Sequence, residues 1–399
     1  MAKDIVLLFD GTGNAVEVNQ TNILRLYRCL KKDERQLVYY IPGVGTFGGD
    51  SMWSRLVRNV IHVFGMATGW GLDQSVLDGY AFLCNHFAKS DRVRAGDEDG
   101  EQDEADDQEE RDRIWLFGFS RGAYAARVLA GFVHSVGLMD PIQLTIARYA
   151  LDTYKKGDFE ALRVYPRTIP TRRVPIHFMG LFDTVSAIIR PLFDSLDNPN
   201  RESAFTKTNP SVRAVRHALA IDERRAMFRC SPWKDEQEYW GGPFRGKNPV
   251  AQDVKQVWFS GVHADVGGGY KEDESGLSKI TLKWMIEEIR AAPSALRFVP
   301  QTVNQVALGN DRKNGLAYAA PSPAAKLHNS MNIGWALTEF IPNRVNTVTW
   351  PRRPRLGRYY WPLFAPRRIP LGASVDQSVT DRIAQVKTYR PRNLPPGTP

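Results

Sequence analysis

The 399-residue sequence is poor in cysteine, with three, Cys29, Cys84 and Cys230. They are scattered without metal-ligand spacing, which argues against both a disulfide scaffold and a zinc site. No apolar run approaches the roughly 18 residues of a membrane span, and "MAKDIVLLFDG" places an aspartate inside its one short apolar stretch. The sequence is therefore expected to be synthesised in a reducing cytoplasm and not to be an integral membrane protein. Export through a machine that reads no N-terminal signal stays open. Internal repeats are also missing, which argues against solenoids and propellers.

What is present is a substantial apolar fraction, 43% hydrophobic and 11% aromatic, enough for a large core. The net charge of +9 conceals an asymmetry. Residues 97–112, "DEDGEQDEADDQEERD", hold eleven acids and one arginine, leaving +19 on the remainder. Such an acid block reads as a solvated, flexible loop insertion.

Five short apolar runs bounded by turn residues predict buried strands: 4–9, 36–41, 113–119, 176–182 and 254–262. Helical patterns lie between them at 21–32, 73–89, 121–136, 139–155 and 277–291. The alternation predicts an α/β fold with a mostly parallel central sheet covered by helices on both faces. Ligands then gather at the carboxyl ends of the strands. From about 296 strand-like runs thin out and prolines accumulate. We therefore expect a catalytic domain over 1–295 and a C-terminal cap or appended segment over 296–399.

The strand ends carry the chemistry. After 113–119 comes Gly118-Phe119-Ser120-Arg121-Gly122, a G-x-S-x-G pattern between a strand and the small-residue helix "RGAYAARVLAG". Glycines two residues either side of a serine suit a strained nucleophile elbow, since side chains there would strike neighbouring backbone. A serine nucleophile needs a base. Of seven histidines, His263 follows a strand and precedes three glycines in "HADVGGGY", so it is the candidate. The acid is open on the residues alone. Strand-end geometry favours Asp183 over Asp222, and Asp265 lies too close to His263 in sequence.

The ordered stretches "LLFDGTGN", "GVGTFG", "GFSRGAYAARVLAG", "GLFDTV", "RHALAIDERRAMF" and "VWFSGVHADVGGGY", spanning residues 4–271, resemble the motif set of the DUF2235 family. This is the α/β-hydrolase domain of Tle1-like type VI secretion phospholipase effectors. The resemblance implies a Ser-Asp-His hydrolase with Ser120 as nucleophile and His263 as base. It puts Asp222, in "ALAIDE", first as the acid and makes Asp183 a support. It also implies an oxyanion site built from the N–H of Arg121 and of Gly11 or Thr12, with Asp10 holding that loop. At this length there is little room for the membrane-anchoring modules of long effectors.

These readings together predict a serine ester hydrolase acting on glycerophospholipids, with no metal or organic cofactor. A G-x-G-x-x-G match at Gly43–Gly48 lacks the strand-helix-acid context of a dinucleotide site. The segment 350–368 mixes six arginines with aromatic rings, which suits peripheral contact with lipid headgroups better than nucleic acid and equally suits an ordinary surface on which prolines lock an extended tail over the domain. A secretion-apparatus or immunity partner would follow from the resemblance. The competing expectation is a catalytically silent hydrolase-fold protein that binds membrane or nucleic acid through its basic surface.

Overall fold

The computed structural model describes residues 2–11, 19–43, 70–88, 111–185, 203–242, 245, 249–310, 318–344 and 359–397. Thr12, the 44–48 part of the glycine motif, the acidic residues 97–110 and the arginine-rich 350–358 stretch lie outside them.

Seven strands form one sheet in which every pairing is parallel: β1 (Asp4–Phe9), β2 (Gln36–Ile41), β3 (Arg113–Phe119), β4 (Ile176–Phe182), β5 (Val212–Ala220), β6 (Asp253–Phe259) and β7 (Ser374–Val375). Their spatial order is β7-β6-β5-β4-β3-β1-β2. Successive side chains of a strand face opposite ways, so β1 sends Ile5, Leu7 and Phe9 to one face and Val6 and Leu8 to the other. β3 splits alike, with Ile114 and Leu116 opposite Trp115, Phe117 and Phe119. A sheet apolar on both sides needs two helical layers. One holds α2 (Trp70–His86), α3 (Arg121–Val136) and α4 (Ala147–Lys156), and the other holds α1 (Asn22–Cys29) and α6 (Gly276–Ala291), with the short α5 (His263–Gly267) between β6 and α6.

The chain winds outward in opposite directions from β1 and β3, which leaves a crevice at their carboxyl ends. Asp10-Gly11 and Ser120 sit on either side of that crevice.

Strand β5, buried between β4 and β6, has no counterpart among the five expected runs. Its sequence, VRAVRHALA, interrupts the apolar pattern with Arg213, Arg216 and His217. The last two find partners inside the fold. Arg216 meets Asp253 at 2.7 Å and Glu288 at 2.6 Å, and His217 Nε2 accepts the Thr184 N–H at 3.2 Å. The expected helix over 139–155 also divides, because Pro141 opens a 3₁₀ turn to Ile146 before α4 begins.

The segment expected as an appended cap contributes to the sheet itself. Ser374 and Val375 pair with Val257 and Trp258, and Ile369, Val379 and Tyr389 bury against Leu219, Ile221 and Trp258. Helices α7 (Ile333–Thr338) and α8 (Gln377–Gln385) belong to this segment.

His134, on α3, is buried against the Phe205 ring and shares a 2.7 Å hydrogen bond with Ser211 Oγ. Burial pushes its pKa from 6.5 down to about 4. Between those values the unfolded chain binds the proton and the folded chain does not. Stability is therefore full above about pH 6.5 and falls as pH drops toward 4. In urea titrations at stepped pH, His134→Asn should remove a part of that loss on the order of 3 kcal/mol. An unchanged pH slope would contradict the assignment.

Candidate active site

Ser120 occupies a backbone conformation rare for a side-chain-bearing residue, φ 58° and ψ −123°. Such strain costs on the order of 1–3 kcal/mol and needs surroundings that enforce it. They are visible here. The Ser120 N–H donates to Phe182 O of β4 at 3.1 Å, and α3 starts at the next residue. The two flanking glycines are there for close approach. A Cβ on Gly118 would lie 2.5 Å from Ala123 Cα, and one on Gly122 would lie 2.3 Å from Phe9 O at the end of β1. The Ser120 hydroxyl makes no capping bond to its helix, so it is not spent on local structure.

His263 is the first residue of α5, brought to the elbow by a turn after β6. Its ring lies 4.7 Å from that of Phe119, the residue before Ser120. Gly267, one turn further on, faces the same Phe119 ring so closely that a Cβ would be 1.8 Å from it. Gly268 (φ +82°) abuts Thr21 and Asn22, and Asn22 binds Val266 O at 3.0 Å. The glycines of "HADVGGGY" thus seat α5 against both the elbow and α1.

The carboxylate on His263 is Asp183. His263 Nδ1 donates to Asp183 Oδ2 at 2.5 Å, and both residues are buried. Asp183 follows β4, whose Phe182 holds Ser120, so Ser120 and the Asp183–His263 pair lie at adjacent strand ends. Its carboxylate also accepts the Ala220 N–H at 3.0 Å and two bonds from Arg367. Burial opposes a charge there, but Arg367 and His263 outweigh it and hold the carboxyl well below its ordinary range. An ionised carboxylate only accepts, so the Asp183 bond places the imidazole proton on Nδ1 and leaves the Nε2 lone pair free to take another. Burial moves His263 below the usual histidine value, against the pull of Asp183.

Asp222, which the resemblance puts first as the acid, does not touch His263. It accepts Gly261 N–H at 2.7 Å and Tyr389 O–H at 2.9 Å, bracing the turn before α5, and burial raises its pKa. Its neighbour Glu223 is nearer. Glu223 accepts the His263 backbone N–H at 3.2 Å and pairs with Arg225 at 2.7 Å. Arg225 in turn lies 3.5 Å over the Phe228 ring, which meets His263 edge-on at 4.9 Å. Asp265 belongs to a separate pair with His328, at 2.6 Å.

On the other side of the crevice, Asp10 accepts Gly11 N–H at 2.6 Å, Thr21 Oγ1–H at 2.6 Å and Tyr40 O–H at 2.7 Å. This engages the Gly11 N–H, which corrects the expectation that Gly11 could serve as an oxyanion donor. Arg121 opens α3, where its N–H has no intrahelical acceptor. Its guanidinium is desolvated and held down to about 10. Arg367 is also a correction. Expected on a lipid-facing surface, it is 1% exposed and buried on Asp183. Sequence reading did not find Glu223, Arg225 or Phe228 either; two acids side by side in "IDE" were the only signal for Glu223.

A family profile described as the catalytic domain of Tle1-like type VI secretion phospholipase effectors matches residues 3–288. The chain belongs to that family. An uncharacterized protein of Saccharomyces cerevisiae, YEL023C, is 32% identical over 248 residues, covering 57% of this chain and 32% of its own length. Two solved structures are also similar. One is an uncharacterized Pseudomonas aeruginosa protein, with 19% identity, TM-score 0.38, and 75% of this chain against 48% of that one. The other is a Tle1 effector bound to the VgrG spike of the type VI secretion system, with 22% identity, TM-score 0.32, and 69% against 52%. The chain thus spans about a third of the curated relative and about half of each structure. The match to the Tle1-like domain stops before the C-terminal segment that supplies Arg367.

The close approach at Gly122 yields a stability test. Gly122→Ala must displace the Phe9 and Asp10 carbonyls, and we expect a loss of about 1–3 kcal/mol in urea unfolding. Gly242→Ala, at a position with open space around it, is the control and should change little.

Proposed function

We propose that this chain is a serine ester hydrolase that cleaves acyl esters of glycerophospholipids, with Ser120 as nucleophile, His263 as base and Asp183 as the acid. The observation that carries the proposal is the Asp183–His263 bond at the strand end beside a strained, uncommitted serine. His263 Nε2 takes the Ser120 proton as Oγ attacks the acyl carbonyl, then returns it to the leaving alcohol. The developing oxyanion falls to the Arg121 N–H at the start of α3, where the helix dipole adds to the attraction. Thr12 is the remaining candidate for a second donor. Water then repeats the cycle on the acyl-enzyme, so the chemistry calls for no metal or organic cofactor.

Membership of a phospholipase effector family supports the lipid class. So does the surface beside the site. Phe228 runs from His263 to Trp335 (5.2 Å), and around Trp335 the residues Ile333, Leu337, Phe340, Leu363 and Phe364 are exposed. Buried Glu339 ties this surface to the site by accepting the Ala226 and Phe364 N–H groups at 2.5 and 3.0 Å. A protein entering from water meets a lipid face with such residues. The remainder of the basic 350–368 segment, Arg367 apart, is proposed as a headgroup contact, and a type VI spike component and an immunity protein as partners.

Fatty-acid release from mixed phospholipid micelles tests the assignment. Ser120→Ala should lose more than roughly 10³-fold in kcat while keeping its fold. Asp183→Asn should lose roughly 10⁴-fold, whereas Asp222→Asn should stay within about tenfold. The acidic limb of kcat/KM should lie below 6.5, since His263 is held low by burial and must be neutral to act. A folded Ser120→Ala with full activity would sink the mechanism, and the reverse order of the two asparagine variants would sink the choice of acid.

A further inference from the structure

The fully buried Arg367 reaches Asp183 from 184 positions away in the chain. Its NH1 donates to Asp183 Oδ1 at 2.5 Å and its NH2 to Oδ2 at 2.9 Å. The guanidinium is itself fixed by two carbonyls, Ala220 O at 3.0 Å from NH1 and Phe228 O at NH2. These come from the end of β5 and from the loop whose Phe228 ring faces His263. The fork therefore grips both carboxylate oxygens along one edge and leaves Oδ2 its bond to His263. A planar two-pronged donor suits this task, because its parallel N–H groups meet both oxygens in a fixed geometry while its other N–H groups hold the two carbonyls, more than the three donors of one ammonium supply. A buried carboxylate beside a neutral imidazole would otherwise stand without a compensating charge.

We propose that Arg367 is a positioning residue of the hydrolytic site, clamping both oxygens of Asp183 so that Oδ2 is aimed at His263 Nδ1. The C-terminal segment, outside the family-matched 3–288, then completes the site rather than merely covering it. This rests on the reading that Asp183 and His263 serve Ser120. The charged and titratable groups packed around the pair are Arg367, Glu223 and Arg225 on the His263 side and His217 and Cys230 beside Asp183. Removing the Arg367 cation leaves the Asp183 charge without its counter-ion, which strengthens its pull on His263 while Glu223 and Arg225 stay in place. That favours protonated His263 and moves the acidic limb to higher pH.

The test uses the full chain carrying Arg367→Ala, Arg367→Gln or Arg367→Lys, each checked for folding by circular dichroism and thermal melting. Arg367→Ala should lose about 10²-fold in kcat/KM, mostly in kcat, the scale of a misplaced group. Its acidic limb, and that of Arg367→Gln, should rise by roughly one pH unit. Millimolar guanidinium, against matched sodium chloride, should restore Arg367→Ala by roughly tenfold or more. Arg367→Lys keeps the charge, so its limb should stay in place while kcat falls. A folded neutral variant with wild-type rate and limb overturns the proposal, as does a loss with no shift of the limb and no rescue, which marks a purely structural staple. If both neutral variants fail to fold, wild-type kcat in Arg367→Lys overturns it. Ser120→Ala and Asp183→Asn run in parallel. Full activity in those two would locate the failure in the underlying site reading instead.

Discussion

A carboxylate removed from water has to be paired, and Asp183 is where this structure meets that requirement. It is fully buried, and its two oxygens accept from Ala220 N–H, His263 Nδ1 and both terminal nitrogens of Arg367. Those donors come from β5, α5 and the C-terminal segment, which are remote from one another in sequence. Each must arrive for the charge to be tolerated, since breaking one member of a buried ion pair typically costs about 3–5 kcal/mol. The same requirement that gathers the segments also orients the His263 imidazole, whose Nδ1 is bonded to Asp183. Stability and the proposed chemistry share one set of bonds here, and the strained φ angles at Ser120 and Asp183 are the cost of placing both residues at adjacent strand ends.

The parallel sheet carries that arrangement further. Because every strand runs the same way, all of the polar groups that follow strands appear along one edge. The order β2-β1-β3-β4 then puts Asp10 and Ser120 on either side of the switch point, and Asp183 next to Ser120. The glycines at 118 and 122 let backbones close on one another, and Gly267 lets the start of the His263 helix close on the Phe119 ring. The C-terminal segment closes more of it through Arg367, and its Glu339 and Trp335 frame the apolar surface beside Phe228.

Much of this was legible in the sequence, for reasons particular to each residue. β1, β2, β3 and β4 announce themselves because buried parallel strands need unbroken apolar runs, and the elbow because only glycine fits beside Ser120. β5 was hidden, since Arg216 and His217 are paid for by partners far along the chain: Asp253, Glu288 and Thr184. Strand-end position pointed to Asp183, whereas motif likeness pointed to Asp222, which instead braces the Gly261 turn with Tyr389. The motif likeness marked a true structural neighbour of His263 but not the group that bonds it. Arg367 was illegible, because an arginine among prolines and aromatic rings looks like surface until the fold brings Asp183 beneath it.

Ser120 is proposed to be chemically activated, and covalent labelling reads that state directly. The folded protein would be treated with a fluorophosphonate probe near neutral pH, digested, and its adducts located by mass spectrometry. One stoichiometric adduct is expected on Ser120, lost when His263 is replaced by alanine. A folded protein that hydrolyses esters yet carries no adduct on Ser120, or carries it on another residue, would contradict it.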